Sequence, residues 1–255
     1  MLVVNQPSSF LRPAIFDDWP DVMAGFSTRH GGGSDDPFAT LNLSRSVGDD
    51  EAQVRENRRR LFEALGFSTD QLALAGQVHG AEVMEVVEAG VYRGYDAMVT
   101  QRPGLLLCIS AADCAAVLLT DAEAGVVGAC HAGWRGTVAR VVTRALATMA
   151  RLGAEPSRVR AYVSPCISAR HFEVGPEVAR AFDDAFVRRW PGKAKPHVDL
   201  KAALVAQLDE AGVVPEAIEV SPQCTFAEVG TFFSHRAEKG RTGRMMGFIG
   251  MTNDE

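Results

Sequence analysis

Between residues 83 and 130 the chain passes through four apolar or β-branched runs of strand length, 83–87, 105–109, 116–119 and 126–129, with no stretch of helical period between them. A regular βαβ order needs a crossover helix between successive parallel strands. The pattern therefore predicts an α+β chain built on mixed sheet. Runs at 162–164 and 218–220 extend the strand set. Helical period with matching punctuation occurs in four places. Residues 51–65 carry Val54, Leu61 and Leu65 on one face, with Gly66 as the stop. Residues 138–152 repeat Val138, Val141, Val142, Ala145, Leu146, Met149 and Leu152 at steps of three and four, with Thr137 before and Gly153 after. Residues 176–190 open on Gly-Pro and bury Val178, Phe182 and Phe186; residues 199–211 have Asp199 as N-cap and Gly212 as stop. No repeat, low-complexity tract or long linker divides the 255 residues, so 1–255 reads as one domain. Gly31-Gly32-Gly33 follows no strand and opens no helix, which makes it a weak nucleotide fingerprint.

The charge balance narrows the partners. With 26 Lys+Arg against 32 Asp+Glu the net charge is −6, and no like-charge block exceeds Arg58-Arg59-Arg60. This disfavours nucleic acid and anionic membranes as partners while leaving room for one basic pocket. Apolar runs are too short to span a bilayer, and the first ten residues lack a basic, apolar signal pattern, so the expected compartment is the cytoplasm. Five cysteines without a C-x-x-C pair point to reduced thiols.

Reactive side chains cluster at the ends of apolar runs, in Gly76-Gln77-Val78-His79-Gly80, Ser110-Ala111-Ala112-Asp113-Cys114 and Cys130-His131-Ala132-Gly133-Trp134-Arg135-Gly136. If neighbouring strands end on one side, His79, Cys114 and His131 converge. Two imidazoles and a thiolate suit a catalytic zinc ion, which takes three protein ligands and keeps a fourth position open. Single ligands on separate loops lack diagnostic spacing, and lone His and Cys residues more often satisfy a core. Cys108 reads as a core residue, Cys130 as core-facing beside a mouth-facing His131, and Cys166 and Cys224 as loop residues. His30 reads as a solvated turn, and His197 as a loop residue. His171-Phe172-Glu173 has the H-x-E form of zinc deaminases without the P-C-x-x-C that completes them. Arg135, placed just before the helix expected at 138, is positioned to share an anion with that helix's N-terminal amides.

These segments resemble the YfiH-type family, described variously as polyphenol oxidases, purine nucleoside phosphorylases and a peptidoglycan editing factor. The matching stretches run in family order over nearly the whole chain. They include Phe26-Ser27-Thr28-Arg29, Leu41-Asn42-Leu43, Gln77-Val78-His79-Gly80, Asp96-Ala97, Ala112-Asp113-Cys114, His131-Ala132-Gly133-Trp134-Arg135-Gly136, Pro165-Cys166-Ile167, Cys224-Thr225 and Phe233-Ser234-His235-Arg236. The resemblance implies a mixed α+β sandwich similar to the cytotoxic necrotizing factor catalytic domain. It also implies metal ligation by His79, Cys114 and His131. Departures are Ala115-Ala116 after the cysteine, Val163-Ser164-Pro165 for Ile-Gly-Pro, and His235 for a tyrosine. None removes a ligand.

The implied activity is phosphorolysis of adenosine, inosine and methylthioadenosine, with adenosine deamination in the same pocket and Zn²⁺ as cofactor. Arg135, Arg29, Asn42 and Arg236 are the expected contacts to nucleoside and phosphate. Asp113 is a proton shuttle, a partner for a ligand imidazole, or a loop cap. One alternative makes Cys114 and His131 a thiolate and base attacking an amide in peptidoglycan editing. Another is polyphenol oxidation with Cu²⁺ in the same donors. A multicopper cluster needs paired His-x-His motifs, and the chain has six histidines with no such pair.

Overall fold

The computed structural model describes residues 8–252. Two six-stranded mixed sheets dominate it. Across the first run β1 (Phe10–Leu11), β2 (Val22–Ser27), β14 (Met245–Met251), β7 (Leu106–Ala111), β3 (Leu72–Gly76) and β5 (Gly90–Arg93). Across the second run β13 (Ile218–Val220), β10 (Arg160–Val163), β8 (Ala115–Asp121), β9 (Val126–Ala132), β6 (Ala97–Thr100) and β4 (Val83–Glu85). A short ribbon pairs β11 (Val187–Arg188) with β12 (His197–Val198). Parallel pairs sit at β3/β5, β3/β7, β4/β6 and β10/β13, and the other pairs in the two large sheets are antiparallel.

The sheets pack face to face and helices cover their outer faces. Leu107 and Ile109 of β7, Val127 and Ala129 of β9, and Phe26 and Ile249 fill the space between sheets. Leu106 and Cys108 point the other way, onto Leu61 and Phe62 of α1 (Glu51–Glu63). Val117 and Leu119 of β8 meet α3 (Val141–Arg151) and α5 (Leu200–Glu210). Because both faces of these central strands are covered, their sequences read as continuous apolar runs rather than alternating ones. The architecture is thus the expected mixed α+β, with sheet against sheet inside two helical layers.

Two helices follow their punctuation. The Asp50 carboxylate accepts the Gln53 N–H at the start of α1, the Asp199 carboxylate accepts the Ala202 N–H at the start of α5, and Gly66 and Gly212 follow them in the left-handed region. The helix expected at 138–152 is instead two. A short α2 (Trp134–Val138) begins at Gly133, and Arg140 breaks the chain at φ 60° before α3. Val138, the first residue of the expected apolar stripe, is 40% exposed. The helix expected at 176–190 is confined to α4 (Pro176–Ala179). Asp183 then accepts the Ala185 N–H, and the chain turns so that Val187 pairs with Val198. Pairing with β12 therefore overrides helical period there. That pairing also makes His197 a buried strand residue, where a loop was expected.

Gly247 of β14 marks a close approach of the two sheets. A Cβ there would lie 2.5 Å from the Ala116 Cβ on β8. Gly247→Ala is expected to destabilise the protein by about 1–3 kcal/mol through overpacking, read as a lowered midpoint in urea unfolding.

Candidate metal centre

The two sheets are joined where the chain crosses from one to the other, and these crossings carry the reactive residues. His79 lies between β3 of the first sheet and β4 of the second, Cys114 in the tight passage from β7 to β8, and His131 on β9 opposite Ala116. One nitrogen of each imidazole and the Cys114 sulfur lie within 4.8 Å of one another. Metal–ligand bonds of roughly 2.0–2.3 Å place tetrahedral donors roughly 3.3–3.8 Å apart. The donor set and its spacing therefore fit one divalent ion after a small contraction. The imidazole rings are already set edge to face, with centroids 4.9 Å apart.

Each donor is held by identifiable contacts. His131 is 3% exposed and its Nδ1 lies 2.8 Å from Asp96 Oδ1, which directs Nε2 away from Asp96 for ligation. The same carboxylate accepts the backbone N–H groups of Val78, His79 and Gly80 at 3.0, 2.9 and 2.7 Å. His79 itself has φ 60°, an uncommon conformation for a residue with a Cβ, which these bonds stabilise. Gln77 locks the same loop to β7, donating to the Ser110 carbonyl and accepting the Ser110 N–H, both at 2.8 Å. Gly133 leaves room for the cluster: a Cβ there would stand 2.8 Å from Cys114 Sγ and 3.5 Å from His79 Cδ2.

The electrostatics separate Cys114 from Cys108, Cys130 and Cys166. Burial pushes Cys108 and Cys130 far up and Cys166 up to about 12. Burial also acts to raise Cys114, but the facing His131 and His79 imidazoles prevail and bring it down to about 6. Burial favours neutral His131, yet the Cys114 sulfur and the Asp96 carboxylate hold its proton up to about 9. Asp96 would likewise be raised by burial, and its donors keep it below the ordinary carboxylate value.

Asp113 belongs to the scaffold. It sits at φ 82°, and its carboxylate accepts the Thr225 and Ser234 hydroxyls at 2.7 and 2.8 Å and the Arg236 N–H at 2.7 Å. All three donors come from remote loops, so the loop-cap reading is the one its contacts match. The carboxylate that faces an imidazole of the donor set is Asp96, from the Asp96-Ala97 segment to which the sequence alone assigns no role.

All three donors line a cavity of about 1230 Å³. Of the expected substrate contacts, Arg236 lines it, donating Nη1 to the Glu173 carbonyl at 2.8 Å. The others point elsewhere. Arg135 lies within α2, exposed, with its guanidinium stacked 4.4 Å above Trp134. Arg29 donates to the carbonyls of Ala39 and Val229 and pairs with Glu238 at 3.2 Å. Asn42 is fully buried; its Nδ2 donates to the Ser44 carbonyl and Asp49, and its Oδ1 accepts from Ser44 and Arg244. The wall instead carries Arg45, Arg58, Arg93 and Arg244, with Trp134 and Phe172 as apolar surfaces.

A family model described as multi-copper polyphenol oxidoreductase laccase matches residues 23–252. A purine nucleoside phosphorylase of Deinococcus radiodurans is 44% identical over 236 residues, covering 92% of this chain and 91% of that protein. An adenosine deaminase named RL5, from an unknown prokaryotic organism, is 36% identical over 223 residues, covering 81% of this chain and 85% of its own. The crystal structure of YlmD from Geobacillus stearothermophilus superposes with a TM-score of 0.89 at 33% identity, covering 97% of this chain and 100% of that one.

Two measurements test the centre. Gly133→Ala is expected to weaken metal binding by about tenfold or more, since displacing one ligand or its support costs about that much; metal titration of the variant reads it directly. Between pH of about 6 and about 9 the metal-free pair carries a thiolate and one proton on His131 that an ion must displace. Apparent metal affinity should therefore rise about tenfold per pH unit across that window and level off above it. An affinity independent of pH over the window would contradict the Cys114–His131 pairing.

Proposed function

The chain belongs to the YfiH-type family, whose model carries the description multi-copper polyphenol oxidoreductase laccase. From that membership and the geometry of the centre, we propose a zinc-dependent purine nucleoside phosphorylase acting on adenosine, inosine and methylthioadenosine, with adenosine deamination in the same pocket. The observation that carries this reading is the placement of one His-Cys-His donor set in an arginine-walled cavity of about 1230 Å³. The names of the Deinococcus and RL5 relatives agree with the two activities.

When bound, the ion supplies a Lewis acid and lowers the pKa of water, worth several kcal/mol of charge stabilisation. The rest falls to the chain. His79, Cys114 and His131 hold the ion; Asp96 fixes the His131 tautomer and aims Nε2. Trp134 and Phe172 offer flat apolar walls for a purine. In phosphorolysis a phosphate oxygen bonds to ribose C1′ as the C1′–N9 bond breaks. The bonding pair leaves with the purine, which takes up a proton. Guanidinium groups on the wall hold the phosphate dianion while positive charge develops on the sugar. In deamination water adds at C6 and ammonia departs.

A second reading draws on the line from Cys114 through His131 to Asp96, the order of a thiolate, base and orienting carboxylate. Such a set attacks amides when no ion occupies it, so stripping the metal should raise amidase activity. Copper in the same three donors would account for polyphenol oxidation without a multi-copper cluster.

Replacing Cys114 or His79 by Ala is expected to reduce phosphate-dependent release of adenine from adenosine by at least about a hundredfold. Product analysis with and without phosphate reads the loss. Release at the wild-type rate in either variant would falsify the nucleoside reading.

A further inference from the structure

The cavity wall holds positive charge that the protein itself leaves unpaired. Arg58, midway along α1, is half-buried and gives only its Nε, to the Leu43 carbonyl at 2.7 Å. Arg244, half-buried at the entry to β14, gives one Nη to the carbonyls of Thr242 and Gly243, each at 2.9 Å. Among the described residues neither has a carboxylate within 4.0 Å, and neither does Arg45. Arg29 and Arg158, by contrast, are neutralised locally, by Glu238 and Asp121. Of the carboxylates lining the cavity, Glu56 pairs with Arg59 and Arg60 and Asp113 with its three donors, which leaves only the exposed Asp70 without a partner among the described residues.

The two guanidinium groups are fastened to one segment. Arg58 holds the Leu43 carbonyl, the Leu43 N–H donates to the Arg244 carbonyl at 3.2 Å, and Asn42 Oδ1 accepts the Arg244 N–H at 3.0 Å. Ser44 and Arg45 follow directly and line the same wall. Asn42 thus reaches the pocket through Arg244. Burial disfavours the charged form of both arginines; at Arg58 the Cys108 sulfur eases this while Arg45 adds repulsion, and at Arg244 the Cys114 sulfur and the Asp113 and Glu238 carboxylates ease it. A guanidinium does not discharge within the accessible pH range, so a bound anion would complete compensation that the surrounding groups supply only in part. The free Nη groups of Arg58 and the Nε and Nη2 of Arg244 present paired N–H donors of the kind that grip phosphate oxygens.

We propose that Arg58, Arg244 and Arg45 form a phosphate-binding subsite on the inner cavity wall, adjoining the Cys114 end of the metal centre. Its part in phosphorolysis rests on the nucleoside reading above; the binding does not. Inorganic phosphate and the 5′-phosphate of a nucleotide share the chemistry, and the two are separated by experiment.

Calorimetric titration of the full chain with inorganic phosphate, adenosine 5′-monophosphate and adenosine tests the subsite. Arg58→Gln and Arg244→Gln are each expected to weaken binding of a phosphate-bearing ligand by about tenfold or more, the usual loss of a charge-assisted bond. Arg58→Lys and Arg244→Lys, which keep the charge and guard against misfolding, should bind between wild type and the Gln variants. Arg12→Ala, which removes an exposed guanidinium paired with Asp17 outside the cavity, should bind as wild type. Loss confined to the nucleotide assigns the subsite to a phosphorylated substrate; loss of inorganic phosphate assigns it to the co-substrate. Unchanged affinity for both ligands in the Arg58 and Arg244 variants overturns the subsite and leaves the nucleoside reading standing. Phosphate binding that the variants lose, in a protein that releases no purine, supports the subsite and sinks that reading.

Discussion

The buried carboxylate of Asp96 is the interaction on which the site depends. It is fully buried and has no Arg or Lys partner among the described residues, a state that costs several kcal/mol unless donors surround it. Its donors are the N–H groups of Val78, His79 and Gly80 and the ring of His131. Two of those four belong to the residues that converge with Cys114. Asp96 immediately precedes β6, which pairs with β9, the strand carrying His131. The N–H groups on the other side belong to a loop leaving the first sheet. Satisfying one carboxylate therefore seats the two sheets against each other and sets both imidazoles, so assembling the fold and pre-organising the centre are the same event.

Asp113 performs a parallel task with a different outcome. Its left-handed backbone turns the carboxylate away from the imidazoles and into the loops carrying Thr225, Ser234 and Arg236. Cys114 is left free to face the histidines, while Arg236 is drawn to the cavity by its own N–H. The crossing between β7 and β8 is only three residues long, so adjacent side chains must point to opposite jobs.

This division explains what could be read from the chain in advance. Strands at 105–109 and 126–129 were legible because burial on both faces leaves an unbroken apolar run. Helices α1 and α5 were legible because a capping Asp and a stopping Gly bracket them. The strands β3 and β14 were not, since Ala, Gly and Met carry little strand preference and only pairing defines them. The break at Arg140 was hidden for a related reason. Apolar period continues across it, while the close packing of Gly136 against the Gly80 and His131 carbonyls forces α2 onto a separate path. Convergence of three donors could be anticipated from their positions at strand ends. The partner of His131 could not, because Asp96 stands 35 residues away and the conspicuous neighbour, Asp113, points elsewhere.

The motif containing Arg135 shows how sequence specificity and chemical role diverge. Gly133 and Gly136 are required because a Cβ at either would press on the centre or its supporting loop, whereas Arg135 between them stacks outward on Trp134. A motif can be rigid in sequence for the space its glycines leave rather than for its charged member. The same reasoning bears on the multi-copper description of the family. Cooperative multi-electron chemistry needs several ions within reach of one another, each with its own ligands. All six histidines fall among the described residues, and His79 and His131 alone of them join the three-donor group. His171 stacks on Phe226, and His197 lies buried in the β11–β12 ribbon. The imidazole supply suffices for one ion. Chemistry at an ion held there would have to be completed by the cavity wall, which carries the guanidinium groups of Arg45, Arg58, Arg93 and Arg244.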